Sequence, residues 1–139
     1  MPILAGRVLG TGVIDPVGLL LALAIILWIP THIMTFSLKN ADDYCLAGVP
    51  VFPNTYGPQA TRLIIALSTA GAVIVMLLAE SLIGLNSTLI QAALVLGAML
   101  LALTLVSILR PSLDLAHKVY KFASLYMLGS MVLIIVGVK

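Results

Sequence analysis

Four long stretches of this chain carry no charged residue: 16–38, 63–79, 81–109 and 122–138. No other feature limits the fold as strongly. Each stretch is near the roughly 17–25 residues needed to cross a bilayer as a helix. In lipid the backbone must satisfy its own hydrogen bonds, so apolar spans of this length are helices. The pattern predicts an all-α integral membrane protein with four transmembrane helices, near residues 16–39, 62–79, 88–109 and 122–138. They would form one membrane domain over 1–139. Charged residues make up only 9% of the chain and hydrophobic residues 62%. Soluble domains carry about 25% charged residues. Such a chain cannot cover itself for water, and membrane lipid is its expected surroundings.

The basic residues suggest an orientation. Lys39 and Arg62 flank the first loop, and Arg110, Lys118 and Lys121 lie in the third. The other face has only Arg7 and Lys139. A multi-pass cell-membrane protein with its first and third loops cytoplasmic is expected. The net charge of +2 is too small to suggest a nucleic-acid partner. Cys45, the single cysteine, excludes an intramolecular disulfide and a cysteine-only metal site. It reads as a small filler rather than a nucleophile.

Residues 1–15 read as a lead-in made flexible by Gly6, Gly10 and Gly12, too short and glycine-broken for the apolar core of a signal peptide. Asp15 and Pro16 are a suitable N-cap and first helical residue. Pro30 removes a backbone donor inside the first span and is expected to kink it. The small group Ala70, Gly71 and Ala72 lets helices approach closely. Glu80 reads as solvated at an outer helix end, and Gln91 and Thr104 as interhelical glue. The third loop, RPSLDLAHKVYK, holds two i,i+4 pairs, Asp114 with Lys118 and His117 with Lys121. It reads as a solvated basic surface near anionic headgroups.

Almost all the chemistry lies in residues 28–53, WIPTHIMTFSLKNADDYCLAGVPVFP. Trp28, His32, Thr35, Lys39 and Asp42 share one helical face by spacing. An interfacial belt would give the same stripe. His32, however, lies inside a span, where ionisable groups are costly and usually line a cavity. The loop over 40–61 then carries Asp42, Asp43 and Tyr44, with Gly48, Pro50, Pro53, Gly57 and Pro58 forcing turns. Arg62 heads the next helix. Carboxylates bind Mg²⁺ through oxygen, and Mg²⁺ is commonly shared with substrate phosphates. Lys and Arg hold the remaining phosphate charge. Acid and base in one interfacial loop therefore suit a Mg²⁺-diphosphate. Adjacent helical residues point about 100° apart, so one aspartate is expected at the metal and the other as a cap or outer support.

The same stretch resembles the UbiA superfamily of intramembrane aromatic prenyltransferases, most closely its protoheme IX farnesyltransferase (haem O synthase) branch. That branch has the pattern W-x-x-P-H-F-x-x-L-x-x-K-x-x-D-D-Y-x-x-A-G-x-P-x-x-P. Trp28, His32, Lys39, Asp42, Asp43, Tyr44, Ala47, Gly48, Pro50 and Pro53 stand at matching places. Thr31 and Ile33 depart from the usual Pro and Phe. KVYKFASLYML, with Lys118, Phe122, Ser124 and Tyr126, is similar to the family's last helix, and LAGRVLGTGVID to the run before its sixth.

The resemblance implies the second half of a nine-helix bundle around a central cavity. It implies transfer of a farnesyl group from farnesyl diphosphate to a vinyl carbon of haem B, giving haem O. Asp42 and Asp43 would hold Mg²⁺, Lys39 and Arg62 the diphosphate, and Tyr44 would orient them. Trp28 and His32 would face the porphyrin or isoprenoid. The family's first Asp-rich motif has no counterpart here, so a partner half carrying it is expected, with no turnover by this chain alone. A quinone or lipid acceptor fits the same residues. A small four-helix oligomeric transporter is a third reading. It needs an ionisable group deep in a span, and His32 is the deepest the sequence offers, with no buried acid expected.

Overall fold

The computed structural model describes residues 2–137. Lys139 of the orientation argument and Val138 of the fourth expected span lie outside them. The described residues fold into seven helices and no strand: α1 (Pro2–Thr11), α2 (Pro16–Lys39), α3 (Ala41–Leu46), α4 (Phe52–Tyr56), α5 (Pro58–Ile83), α6 (Ser87–Leu109) and α7 (Leu113–Gly137). Four of them, α2, α5, α6 and α7, are long and apolar enough to cross a membrane. The all-helical, four-span expectation is what the structure shows.

The spans close into a four-sided bundle. α2 packs on α5 and α7, and α6 packs on the same two helices from the other side. Val17, Leu21, Ala24, Val73, Met76, Leu100 and Tyr126 form its core. Many large apolar side chains, Leu67, Ile74, Leu105 and Leu128 among them, point outward. Water would penalise that surface and lipid does not. Two glycines bring helices together. A methyl group at Gly71 would stand 3.2 Å from Leu27 of α2, and one at Gly97 2.8 Å from Cγ1 of Val73 on α5.

Hydroxyl groups tie α2 to α5 where apolar packing alone gives little specificity in lipid. Thr31 Oγ1 lies 3.0 Å from Ser68 Oγ and 2.9 Å from Thr69 Oγ1, all buried. Asp15 caps α2, accepting from the Gly18 amide at 3.0 Å, with Pro16 as the first helical residue. Its carboxylate also pairs with Arg7 at 2.6 Å. The Arg7 hydrogen bonds, and then the Gly18 amide, hold the Asp15 pKa below the usual carboxylate range. Gly84 ends α5 in a left-handed turn at φ 79°, which glycine adopts without a Cβ clash.

Four expectations change. The lead-in is helical over Pro2–Thr11 rather than flexible, and its Arg7–Asp15 pair holds it to α2. The first loop contains two short helices, because Pro50 and Pro53 interrupt the chain without excluding single turns. α7 begins at Leu113, well before 122, so most of the third loop is span-continuous helix. The Asp114–Lys118 pair, 3.2 Å apart, runs along its first turns. Glu80 is not solvated: it is 0% exposed. Its two carboxyl oxygens and the hydroxyls of Tyr126 and Ser130 are buried without a hydrogen-bond partner among the described residues. Ser130 stands beside both other groups. The expectation of no buried acid was therefore wrong. Glu80 falls on the face of α5 that turns into the bundle, which its position near a helix end does not reveal.

Candidate functional site

The site is built at the bundle end where α2 finishes and α7 starts. Along α2, the stripe read from the sequence splits between two neighbours. Thr31 and Thr35 are buried, and Thr31 bonds α5. Trp28, His32 and Lys39 instead meet α7. Trp28 Nε1 donates to the Ala123 carbonyl at 3.0 Å. The His32 ring lies between two aromatic rings, with centroids 4.6 Å from Trp28 and 4.4 Å from Tyr120. Its Nδ1 is 3.3 Å from Ser124 Oγ, and that hydroxyl donates to the Tyr120 carbonyl. A serine has one proton to give. The arrangement assigns the proton between Ser124 and His32 to the histidine Nδ1, leaving Nε2 as an acceptor.

Two turns nearer the loops, Lys39 Nζ contacts His117 Nδ1 at 3.3 Å. The His117 ring is nearly parallel to that of Tyr120, 9° apart at a centroid distance of 6.4 Å. A column of flat rings from Trp28 through His32 and Tyr120 to His117 thus runs between α2 and α7 and ends at a cation.

The loop folds over the same end. Asn40 closes α2, its amide and side chain both donating to the Phe36 carbonyl. α3 follows at once and carries Asp42 and Asp43 in its first turn. Asn54 of α4 donates to the Ala41 carbonyl at 2.9 Å and draws the two short helices together. Gly57, at φ 88°, turns the chain into α5. A cavity of about 260 Å³ results, lined by Lys39, Asp42, Asn54 and Arg62 with Leu38 and Leu113 at its apolar side.

Each residue singled out in the sequence has a definite place here. Lys39, Asp42 and Arg62 share the cavity. Asp43, the next residue in the same turn, is exposed and does not line the cavity. Arg62 is only 8% exposed, and its Nη1 donates to the carbonyl and hydroxyl of Ser107 at 3.0 and 3.2 Å. Part of its donor fork therefore closes the end of α6, and the remainder is left for the cavity. Among the described residues the Tyr44 hydroxyl bonds neither aspartate. Cys45 is exposed on α3. Trp28 and His32 lie below the cavity in the ring column. Sequence reasoning missed His117 and Tyr120. Their only signal was the i,i+3 and i,i+4 spacing with Lys121 and Ser124 on one face of α7.

The donor set fits a hard divalent cation in part. Asp42 and Asp43 are adjacent carboxylates with no basic partner within ion-pair distance among the described residues. No cluster of three or more His, Cys, Asp or Glu side chains is found among those residues. Mg²⁺ typically takes one or two carboxylates, and fills its octahedron with water and substrate phosphate oxygens. Asp42, facing a cavity with a lysine and an arginine, meets that description, with Asp43 exposed beside it.

The model of the family described as UbiA prenyltransferase matches residues 1–127. The chain belongs to the UbiA prenyltransferase family. Its curated relatives include the protoheme IX farnesyltransferase of Bradyrhizobium diazoefficiens, 36% identical over 84% of this chain and 38% of the relative. That of Teredinibacter turnerae is 33% identical over 97% of this chain and 43% of the relative. That of Leptothrix cholodnii is 46% identical over 50% of this chain and 23% of the relative. The chain spans about two fifths of the length of the Bradyrhizobium and Teredinibacter relatives. No solved structure matches it. UbiA membership agrees with the four apolar spans.

Proposed function

We propose that this chain is the second-Asp-motif half of an intramembrane farnesyltransferase acting on a porphyrin vinyl group, haem B to haem O. The observation that carries the reading is the convergence of Lys39, Asp42 and Arg62 on one cavity at the end of the ring column. The relatives named protoheme IX farnesyltransferase support the donor and acceptor. The family's other half, with its own acidic motif, would complete the site, and this chain alone would not turn over. The loop end lies on the cytoplasmic side of the cell membrane in this reading, as its basic residues favour.

The residues divide the work by charge and depth. Asp42 and Asp43 hold Mg²⁺, which when bound offsets the charge developing on a leaving diphosphate. Lys39 and the unused edge of the Arg62 guanidinium hold phosphate oxygens not facing the metal. The allylic carbon then faces the apolar interior, where water is excluded from an electron-poor intermediate. Trp28, His32 and Tyr120 present flat faces to a conjugated acceptor or to the isoprenoid. As the vinyl carbon bonds to the allylic carbon, the allylic C–O bond breaks and its electron pair leaves with the diphosphate. The cation left on the other vinyl carbon then takes up one water molecule, whose proton goes to a base. The acceptor Nε2 of His32 suits that need.

Mg²⁺-dependent binding of farnesyl diphosphate to the purified chain in detergent tests the reading, with Asp42→Ala/Asp43→Ala as the comparison. Binding by the wild type and its loss in the double variant are expected. Equal binding by both would overturn the assignment of the two aspartates. Co-expression with a chain carrying the first acidic motif should restore farnesyl transfer to haem. Transfer to a quinone or a lipid instead would overturn the acceptor.

A further inference from the structure

His117 lies in neither the Asp-rich loop nor the span that carries His32. It is 78 residues from Lys39 in sequence, yet its Nδ1 is 3.3 Å from the lysine ammonium. An ammonium has three donors and no acceptor. A hydrogen bond between the two therefore requires a lone pair on Nδ1, which puts the ring proton on Nε2. Among the described residues no protein group accepts from Nε2. His117 is thus a neutral imidazole with one nitrogen committed to Lys39 and one N–H to offer. The ring of Tyr120 lies nearly parallel to it, 6.4 Å away between centroids. Lys121 follows one turn later on the same face of α7.

Lys39 is one of two cations lining the cavity, with Arg62, and shares it with Asp42. A lysine side chain is long and flexible, and its position sets where an anion can sit. The contact with His117 takes one of its three N–H groups and leaves two for a ligand. We propose that His117 is a further ligand-binding residue of this site. Through Nε2–H it donates to a phosphate oxygen of the prenyl diphosphate, and through Nδ1 it fixes Lys39 beside that same group. The inference rests on the diphosphate reading of the cavity. It adds α7, the last helix of the chain, to the elements that hold the anion.

The test compares wild type with His117→Phe and His117→Gln. Phenylalanine keeps a flat ring beside Tyr120 and removes both nitrogens. Glutamine keeps a carbonyl to accept from Lys39 and an amide N–H to donate. Mg²⁺-dependent Kd values would be measured for inorganic diphosphate and farnesyl diphosphate, with farnesol as an uncharged probe. Far-UV circular dichroism would check helicity. His117→Phe should weaken both anions about tenfold, the loss expected for one hydrogen bond to a charged group. His117→Gln should recover most of that loss, and farnesol should be unaffected. ¹⁵N spectra of the wild type at neutral pH should show His117 protonated at Nε2.

If His117→Phe binds diphosphate as wild type does while Asp42→Ala/Asp43→Ala fails, the cavity reading stands and the His117 inference falls. Equal weakening by Phe and Gln would also overturn it, because a packing role does not depend on the amide. If the wild type binds no diphosphate, both readings fall together.

Discussion

Replacing Arg62 with methionine separates two roles that the structure gives to one side chain. The guanidinium is almost fully enclosed, and its Nη1 donates to both the carbonyl and the hydroxyl of Ser107. Ser107 lies in the last turn of α6, where carbonyls lack partners inside the helix. A cation there also meets the negative end of the helix dipole. Each hydrogen bond from a charged donor contributes about 1.5–3 kcal/mol. Desolvation of the buried cation offsets part of this. Arg62→Met should therefore lower bundle stability by about 2–4 kcal/mol. Ser107→Ala, which leaves the carbonyl in place, should cost about 0.6–1.7 kcal/mol. Because the two variants share an interaction, their combined effect should be less than the sum. Denaturation in mixed detergent micelles, followed by far-UV circular dichroism, gives these values, and diphosphate affinity is measured alongside. Ser107→Ala should leave affinity unchanged. If Arg62→Met unfolds at the wild-type denaturant concentration yet no longer binds diphosphate, the guanidinium is a phosphate ligand with no closing role, and the reasoning fails.

Gly97→Ala would place a methyl group 2.8 Å from Val73. It should cost about 1–3 kcal/mol in the same assay, and Val73→Ala should recover part of that loss. Trp28→Phe keeps a ring for stacking on His32 but loses the bond to the Ala123 carbonyl, so a loss of about 1 kcal/mol is expected. Asp15 has its pKa lowered by Arg7 and the Gly18 amide. Its contribution is complete above the ordinary carboxylate range, and is lost as pH falls below about 4 toward the lowered value. Asp15→Asn should remove that acid-side phase from a stability–pH profile.

The spans were legible because charge is nearly absent from them, and absence of charge is a local property. The start of α7 was not. Asp114, His117, Lys118 and Lys121 broke the apolar run there, although the Asp114–Lys118 spacing already favoured a helix. Glu80 shows the converse limit. Its place near a helix end suggested water, and only the rotation of α5 against α7 shows that the carboxyl is enclosed. In the site, Lys39, Asp42 and Arg62 could be picked out from residue type and spacing in one stretch. The partners on α7 could not, since the pairing of His32 with Tyr120 and of Lys39 with His117 depends on which faces of two distant helices meet. Arg62 was read as free for ligand because nothing in the sequence places Ser107 beside it.

The contact between Lys39 and His117 also bears on how the molecule is made. At about 5–20 residues per second, the 78 residues separating them take roughly 4–16 s to synthesise. During that interval α2 has no partner for its Trp28–His32 face. Its Thr31 face, in contrast, can already dock on Ser68 and Thr69 of α5. The ribosome thus delivers a helical hairpin first and the Lys39–His117 end last. A nascent chain stopped before α7 would carry Lys39 and both aspartates, but no companion to fix the lysine.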